Sequence, residues 1–239
     1  NTTSFLLNGK ILVDAGVITS LLSIEEQVNI DYVFVTHAHL DHVRDIMFLA
    51  DNICYLQKNR PLIVVGTRNV IDTLKTYLFN NIIWPDFSLL PSPENPVLKF
   101  ETINPGEKIM FDNVDVTAIL VHHVVETVSY AIESKEGSVI IIGDTGPTEE
   151  VWNVANSISN LRAVFIETSL PNSMQDVADM TGHLTPSGLE EELKKLNIPH
   201  PDIYLYHMKL QYRESIQSEI AMIKNRNIHI LKDGEVIGI

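Results

Sequence analysis

Apolar residues recur along this chain in two rhythms. Six short runs, "DYVFVT" (31–36), "PLIVVG" (61–66), "DVTAILV" (115–121), "SVIIIG" (138–143), "RAVFIE" (162–167) and "DIYLYH" (202–207), are rich in β-branched and aromatic residues, and most are continuously apolar. Runs of that kind are strands buried on both faces. Elsewhere the spacing is helical. One apolar face is Val43, Ile46, Met47, Ala50 and Cys54, and another is Val70, Ile71, Leu74 and Leu78, following Thr67. Val151, Trp152, Ala155 and Ile158 follow Thr148, and Leu189, Leu193 and Leu196 follow Thr185, where Pro186 suits a first helical position. The end, "NIHILKDGEVIGI", predicts a hairpin around Asp233-Gly234. The stretch from Trp84 to Pro96 carries four prolines and little periodicity, and predicts a surface loop. Strands alternating with helices predict a layered α/β architecture, sheet inside and helices outside. One domain over residues 1–239 is expected.

Composition narrows the function classes. The chain has 239 residues, 45% hydrophobic and 20% charged, enough for a sizeable core. No apolar run approaches the ~20 residues of a membrane span, so no membrane association is expected. The start, "NTTSFLLNGK", has no basic region or cleavage site, which predicts no signal peptide, and it opens as if a strand lay upstream. The single cysteine, Cys54, fits a reducing, cytoplasmic compartment. A net charge of −14 without a dense basic run argues against a nucleic-acid partner. "EELKKL", with Glu190 to Glu192 beside two lysines, reads as a solvated helix face. A small anion held by metal cations stays compatible with this charge, because the ions dominate their local field.

Candidate chemistry sits where strands end. "DYVFVT" runs into His37, "DVTAILV" into His122 and His123, "SVIIIG" into Asp144, "RAVFI" into Glu167 and "DIYLY" into His207. Strand ends of an α/β sheet open onto one edge, where residues distant in sequence converge. The densest cluster is "THAHLDH", which puts His37, His39, Asp41 and His42 within six positions. His37 and His39, two apart, can share one ion, while Asp41 and His42 can reach a second. Imidazole with carboxylate suits zinc first, with manganese or iron as alternatives, and a carboxylate such as Asp144 can bridge two ions.

"THAHLDH" resembles the HxHxDH signature of the metallo-β-lactamase superfamily, whose fold is a four-layer αββα sandwich with a dinuclear metal site. A strand-end His, a "GDTG" Asp and a final His after a strand follow in that superfamily's order. Within it, the chain is most similar to class II cyclic-nucleotide phosphodiesterases, through "TSFLLNGKILVDAG", "THAHLDHVRDIMFLADN", "HVVETVSYAI", "IIIGDTGP", "GHLTPSGLEEELKKL" and "YLYHMK". The resemblance implies His37, His39 and His123 on one metal, Asp41, His42 and His207 on the other, and Asp144 as bridge. It favours His123 over His122 through the spacing of "HVVETVSY", leaving His122 a packing or supporting residue. The sequence departs from the family's pattern at Ser129, usually Gly, at "HVRD", which lacks a Gly common after the signature, and at Leu210, usually Pro.

In ribonuclease Z enzymes a Glu after a strand supports a His in a similar Gly-His motif, which implies that Glu167 orients His183 as a proton donor. His183, Glu167 and Asp41 are thus the expected catalytic side chains, while His200 and His229 are read as structural or exposed. The implied activity is hydrolysis of a 3′,5′-cyclic nucleotide, cAMP or cGMP, to the 5′-monophosphate by a hydroxide bridging two divalent transition-metal ions. A ribonuclease Z-like RNA-processing nuclease and a non-catalytic metal or cyclic-nucleotide sensing domain are the alternatives. The expected partner is a small phosphodiester substrate, and oligomeric state is open, a homodimer included.

Overall fold

The computed structural model describes residues 2–56, 60–111, 113–198, 201–224 and 226–239. They form two compact units, residues 2–104 and 105–239.

In the first unit, β1 (Phe5–Leu7), β2 (Ile11–Val13), β3 (Tyr32–Phe34), β4 (Leu62–Gly66) and β7 (Leu98–Thr102) form one sheet in the order β1-β2-β3-β4-β7. All but β1 run parallel. The helices are α1 (Ile24–Asn29), α2 (Leu40–Cys54) and α3 (Arg68–Tyr77). α2 buries the face expected of it: Val43, Ile46, Met47 and Ala50 lie in the core with Leu12, Val33 and Val64, and Cys54 packs at its margin. α3 starts at Thr67, whose hydroxyl accepts from the Val70 amide at 3.4 Å. The proline-rich stretch holds a two-residue ladder, β5 (Pro91–Ser92) with β6 (Asn95–Pro96), and buries Phe87.

The second unit carries β8 (Lys108–Phe111), β9 (Val114–Val121), β10 (Thr127–Glu133), β11 (Ser138–Ile141), β12 (Leu161–Glu167), β13 (Asp202–Tyr206) and β14 (Ile228–Ile230). Their order is β14-β13-β12-β11-β10-β9-β8. β10 is antiparallel to both β9 and β11, while β11, β12 and β13 are parallel. Hence β9, β11, β12 and β13 all end on the same sheet edge. Helices α4 (Glu150–Ser157), α6 (Pro186–Lys194) and α7 (Arg213–Ile220) cover this sheet with Trp152, Leu189, Leu193 and Ile216. Each such fully buried aliphatic side chain contributes roughly 1.5–3 kcal/mol. α5 (Gln175–Thr181) precedes α6, and Thr185 caps α6 with Pro186 in its first turn, as expected.

Two expectations fail here. The C-terminal segment turns at Asp233-Gly234, but no return strand forms among the described residues. β14 pairs in parallel with β13 instead, because the edge of β13 offers its backbone a ladder and the core offers Ile228 and Ile230 apolar contact. The second failure is "EELKKL": Glu190 and Glu191 are exposed, but Glu192 is 2% exposed and hydrogen-bonded inside. His229 lies in β14, exposed and stacked on Tyr204, and His200 lies outside the described residues. No helix among the described residues is long and apolar enough to cross a membrane.

Candidate metal centre

In the first unit the chain leaves β3 at Val35, whose amide donates to Val65 O at 2.8 Å, and enters α2 through "THAH". His39 stands at the N-cap position but makes no side-chain cap, so its ring is not spent on the helix. His37 and His42 are fully buried, and the His37 ring centroid lies 4.6 Å from His39 and 4.2 Å from His42.

Asp14, at the end of β2, organises this turn. Its carboxylate accepts from the Thr36 amide (2.8 Å), the Thr36 hydroxyl (2.8 Å) and His42 Nδ1 (2.7 Å). Because Thr36 Oγ1 gives its proton to Asp14, it accepts from His37 Nδ1 at 3.0 Å. The contacts thus favour the proton on Nδ1 of both buried imidazoles, which in the neutral ring is the tautomer whose Nε2 can bind a metal. Gly16 makes the packing feasible: a Cβ there would lie 1.8 Å from Asp41 O. That carbonyl accepts from Thr3 N at 3.0 Å, and Ala15 N donates to His42 O at 2.7 Å. Asp14 is not among the residues expected to do chemistry from sequence alone. The signal was present, since "ILV" ends on Asp14 just as the other strands end on their polar residues.

In the second unit, the shared edge brings together the ends of β9 (His123), β11 (Asp144), β12 (Glu167) and β13 (His207). The loop between α5 and α6 adds His183. Donor atoms of His123, Asp144 and His183 lie within 4.8 Å of one another, as do those of Glu167, His183 and His207. His207 Nε2 is 3.4 Å from Asp144 Oδ2. The Nδ1 pattern recurs. His207 Nδ1 meets Ser169 Oγ at 2.9 Å, and that hydroxyl donates to His207 O at 3.2 Å. His123 Nδ1 donates to Gly182 O at 2.8 Å. Gly182 adopts φ 65°, and a Cβ there would lie 3.0 Å from His123 Cα and Nδ1.

His183 Nδ1 donates to Glu167 Oε1 at 2.6 Å, and Glu167 is fully buried. Burial opposes the imidazolium of His183 and Lys209 adds to that, but the hydrogen bond and charge of Glu167, with the charge of Asp144, outweigh both. The His183 pKa is raised. His122 is exposed at its ring, and its carbonyl accepts from Gly146 N at 2.7 Å, so its contribution comes from the backbone.

Imidazoles with Nδ1 tied to acceptors, together with a buried carboxylate, are a donor set that fits zinc, manganese or iron. The sequence-predicted residues therefore fall into two groups: His37, His39, Asp41 and His42 in the first unit, and His123, Asp144, Glu167, His183 and His207 in the second.

A family model described as "cAMP phosphodiesterases class-II" matches residues 18–225. The chain belongs to that family. It is 29% identical over 191 residues to 3′,5′-cyclic-nucleotide phosphodiesterase 1 of Saccharomyces cerevisiae, covering 70% of this chain and 50% of that protein. It is also 29% identical over 185 residues to a probable 3′,5′-cyclic-nucleotide phosphodiesterase of Yersinia pestis, covering 70% and 51%. The chain spans about half the length of these two curated relatives. Among solved structures it resembles unliganded yeast PDE1 with a TM-score of 0.77 at 25% identity, covering 88% of this chain and 69% of that one. The metallo-β-lactamase fold protein YhfI of Bacillus subtilis matches with a TM-score of 0.76 at 16% identity over 98% of this chain and 90% of its own. The likeness to YhfI shows fold alone, and the fold is the metallo-β-lactamase class expected from the sequence.

Proposed function

We propose that this chain is a metal-dependent phosphodiesterase that hydrolyses 3′,5′-cyclic nucleotides to 5′-monophosphates. The observation that carries the reading is the repeated Nδ1 anchoring of His37, His42, His123 and His207, which prepares four Nε2 lone pairs in a member of the class-II family. In this reading His37, His39 and His123 hold one ion, Asp41, His42 and His207 hold the other, and Asp144 is shared. Zinc is the preferred metal. When bound, the ions supply charge neutralisation at the phosphoryl oxygens and make an attacking water available at neutral pH.

The chain's own residues do the rest. Thr36 and Asp14 hold His37 and His42 in the ligating tautomer, and Ser169 does the same for His207. Water adds to phosphorus as the P–O3′ bond breaks, and the departing O3′ needs a proton. His183 presents Nε2 for that transfer, while Glu167 orients the ring through Nδ1 and balances the imidazolium. A single cysteine, Cys54, is compatible with a reducing, cytoplasmic setting.

The test is a turnover panel of cAMP, cGMP, an activated aryl phosphodiester and precursor tRNA, with metal content measured on the same preparation. Cyclic nucleotides should be hydrolysed with mild salt dependence, since 17 basic residues against 31 acidic ones, with no dense basic run in the sequence, disfavour a polyanion. Salt-sensitive tRNA cleavage alongside inert cyclic nucleotides would establish the nuclease alternative. Binding of cyclic nucleotide with no turnover of any substrate would establish the sensing one.

A further inference from the structure

Glu192 is a buried carboxylate that the proposed chemistry does not use. Trp152 Nε1 donates to its Oε2 at 2.7 Å, the Thr148 amide donates to the same oxygen at 3.2 Å, and Lys195 Nζ donates to Oε1 at 2.8 Å. Lys195 Nζ also donates to Thr148 O at 2.8 Å and pairs with Glu149 at 2.7 Å. One ion pair therefore grips both the N–H and the C=O of a single residue, Thr148. Asn156 Nδ2 secures the other side of the clamp by donating to Lys195 O at 2.9 Å.

Thr148 closes the loop that begins at Asp144. The near side of that loop is tied by Thr145 N to Glu167 Oε1 (3.2 Å) and by Gly146 N to His122 O (2.7 Å). Pro147 has no N–H to give. Thr148 is thus the next position at which a donated hydrogen bond can hold the backbone, and there the acceptor is a charged, buried group. Charge-assisted bonds of this kind are stronger and better directed than neutral ones. Removing Lys195 would leave the buried Glu192 carboxylate without its countercharge, held only by the Trp152 and Thr148 N–H groups.

We propose that the Glu192–Lys195 pair is a positioning device for the Asp144 loop, setting how tightly the chain retains metal. This rests on the assignment of Asp144 as a ligand. It acts through the backbone of residues 144–148, and neither side chain touches the reacting atoms.

The test compares Glu192→Gln, Lys195→Met and, as a control, Lys194→Met, whose ammonium pairs with Glu191 instead. Two readouts are needed: zinc affinity by chelator competition, and amide exchange at Thr145, Gly146 and Thr148 in the metal-free protein. The expected result is zinc retention weakened about tenfold in Glu192→Gln, the low end for outer partners of a metal site. The loop amides should exchange faster, and kcat on an aryl phosphodiester should recover at saturating zinc. Lys195→Met should move the same way by a smaller factor, which keeps the test decisive if Glu192→Gln does not fold. Lys194→Met should match wild type. A merely structural pair would lower Tm equally with and without zinc and leave affinity and loop exchange unchanged, which would overturn the proposal. Wild type that binds no metal would overturn the metal reading itself, and exchange in the metal-free protein would still decide the clamp.

Discussion

The two histidine groups are built in opposite ways. In the first unit the side chains come from one turn of six residues, and a single carboxylate, Asp14, anchors two of the rings directly or through Thr36. In the second unit they come from four strand ends and a loop, and each ring has its own partner: Gly182 O for His123, Ser169 Oγ for His207 and Glu167 for His183. A local cluster concentrates its dependence on one supporting residue. A dispersed cluster spreads that dependence over several, and relies on strand pairing to bring its members together.

Asp144→Ala should have the largest effect, because in the proposed assignment it removes a ligand from both ions. Elemental analysis should find metal lost and turnover nearly abolished. Full activity from a protein holding one ion or none would break the dinuclear assignment.

His183→Ala comes next, with kcat lowered about 10²- to 10⁴-fold and metal content kept. An activated aryl phosphodiester, whose leaving group needs no proton, should lose far less. Loss of metal, or equal losses on both substrates, would make His183 a ligand or a scaffold residue.

The anchors sharpen the contrast between the two units. Asp14→Ala should weaken metal affinity about 10- to 100-fold, since the proton-holding partners of His42 and, through Thr36, His37 go together. Ser169→Ala should cost about 1 kcal/mol, roughly fivefold in affinity, because one neutral hydrogen bond to one ring is lost. Chelator competition measures both. Equal effects would mean that a concentrated anchor carries no more than a distributed one.

Much of this was readable in advance for reasons of range. Thr67 and Thr185-Pro186 start helices because a cap is satisfied within a few residues, and the apolar face of α2 follows from helical spacing alone. His37, His39, Asp41 and His42 were legible because they are adjacent. The six apolar runs gave strands, and four of them close on His123, Asp144, Glu167 and His207 of the second group, whereas β10, α1, α5 and α7 lacked a comparably clear periodicity.

What the tertiary structure alone decided concerns contacts between residues far apart in the chain. Asp14 lies 28 residues before His42, and only the parallel pairing of β2 with β3 puts its carboxylate beside that ring. Glu192 looks solvated among neighbouring charges. Its burial depends on an indole 40 residues away and an amide 44 residues away, which turn a buried charge from a penalty into a fixed point. Ile228 and Ile230 suit a hairpin or a parallel edge equally well by composition, and the free edge of β13 settled which. Side-chain type and spacing determine which residues can do chemistry. The partners that fix their protons and positions come from strand order, which short-range patterns do not encode.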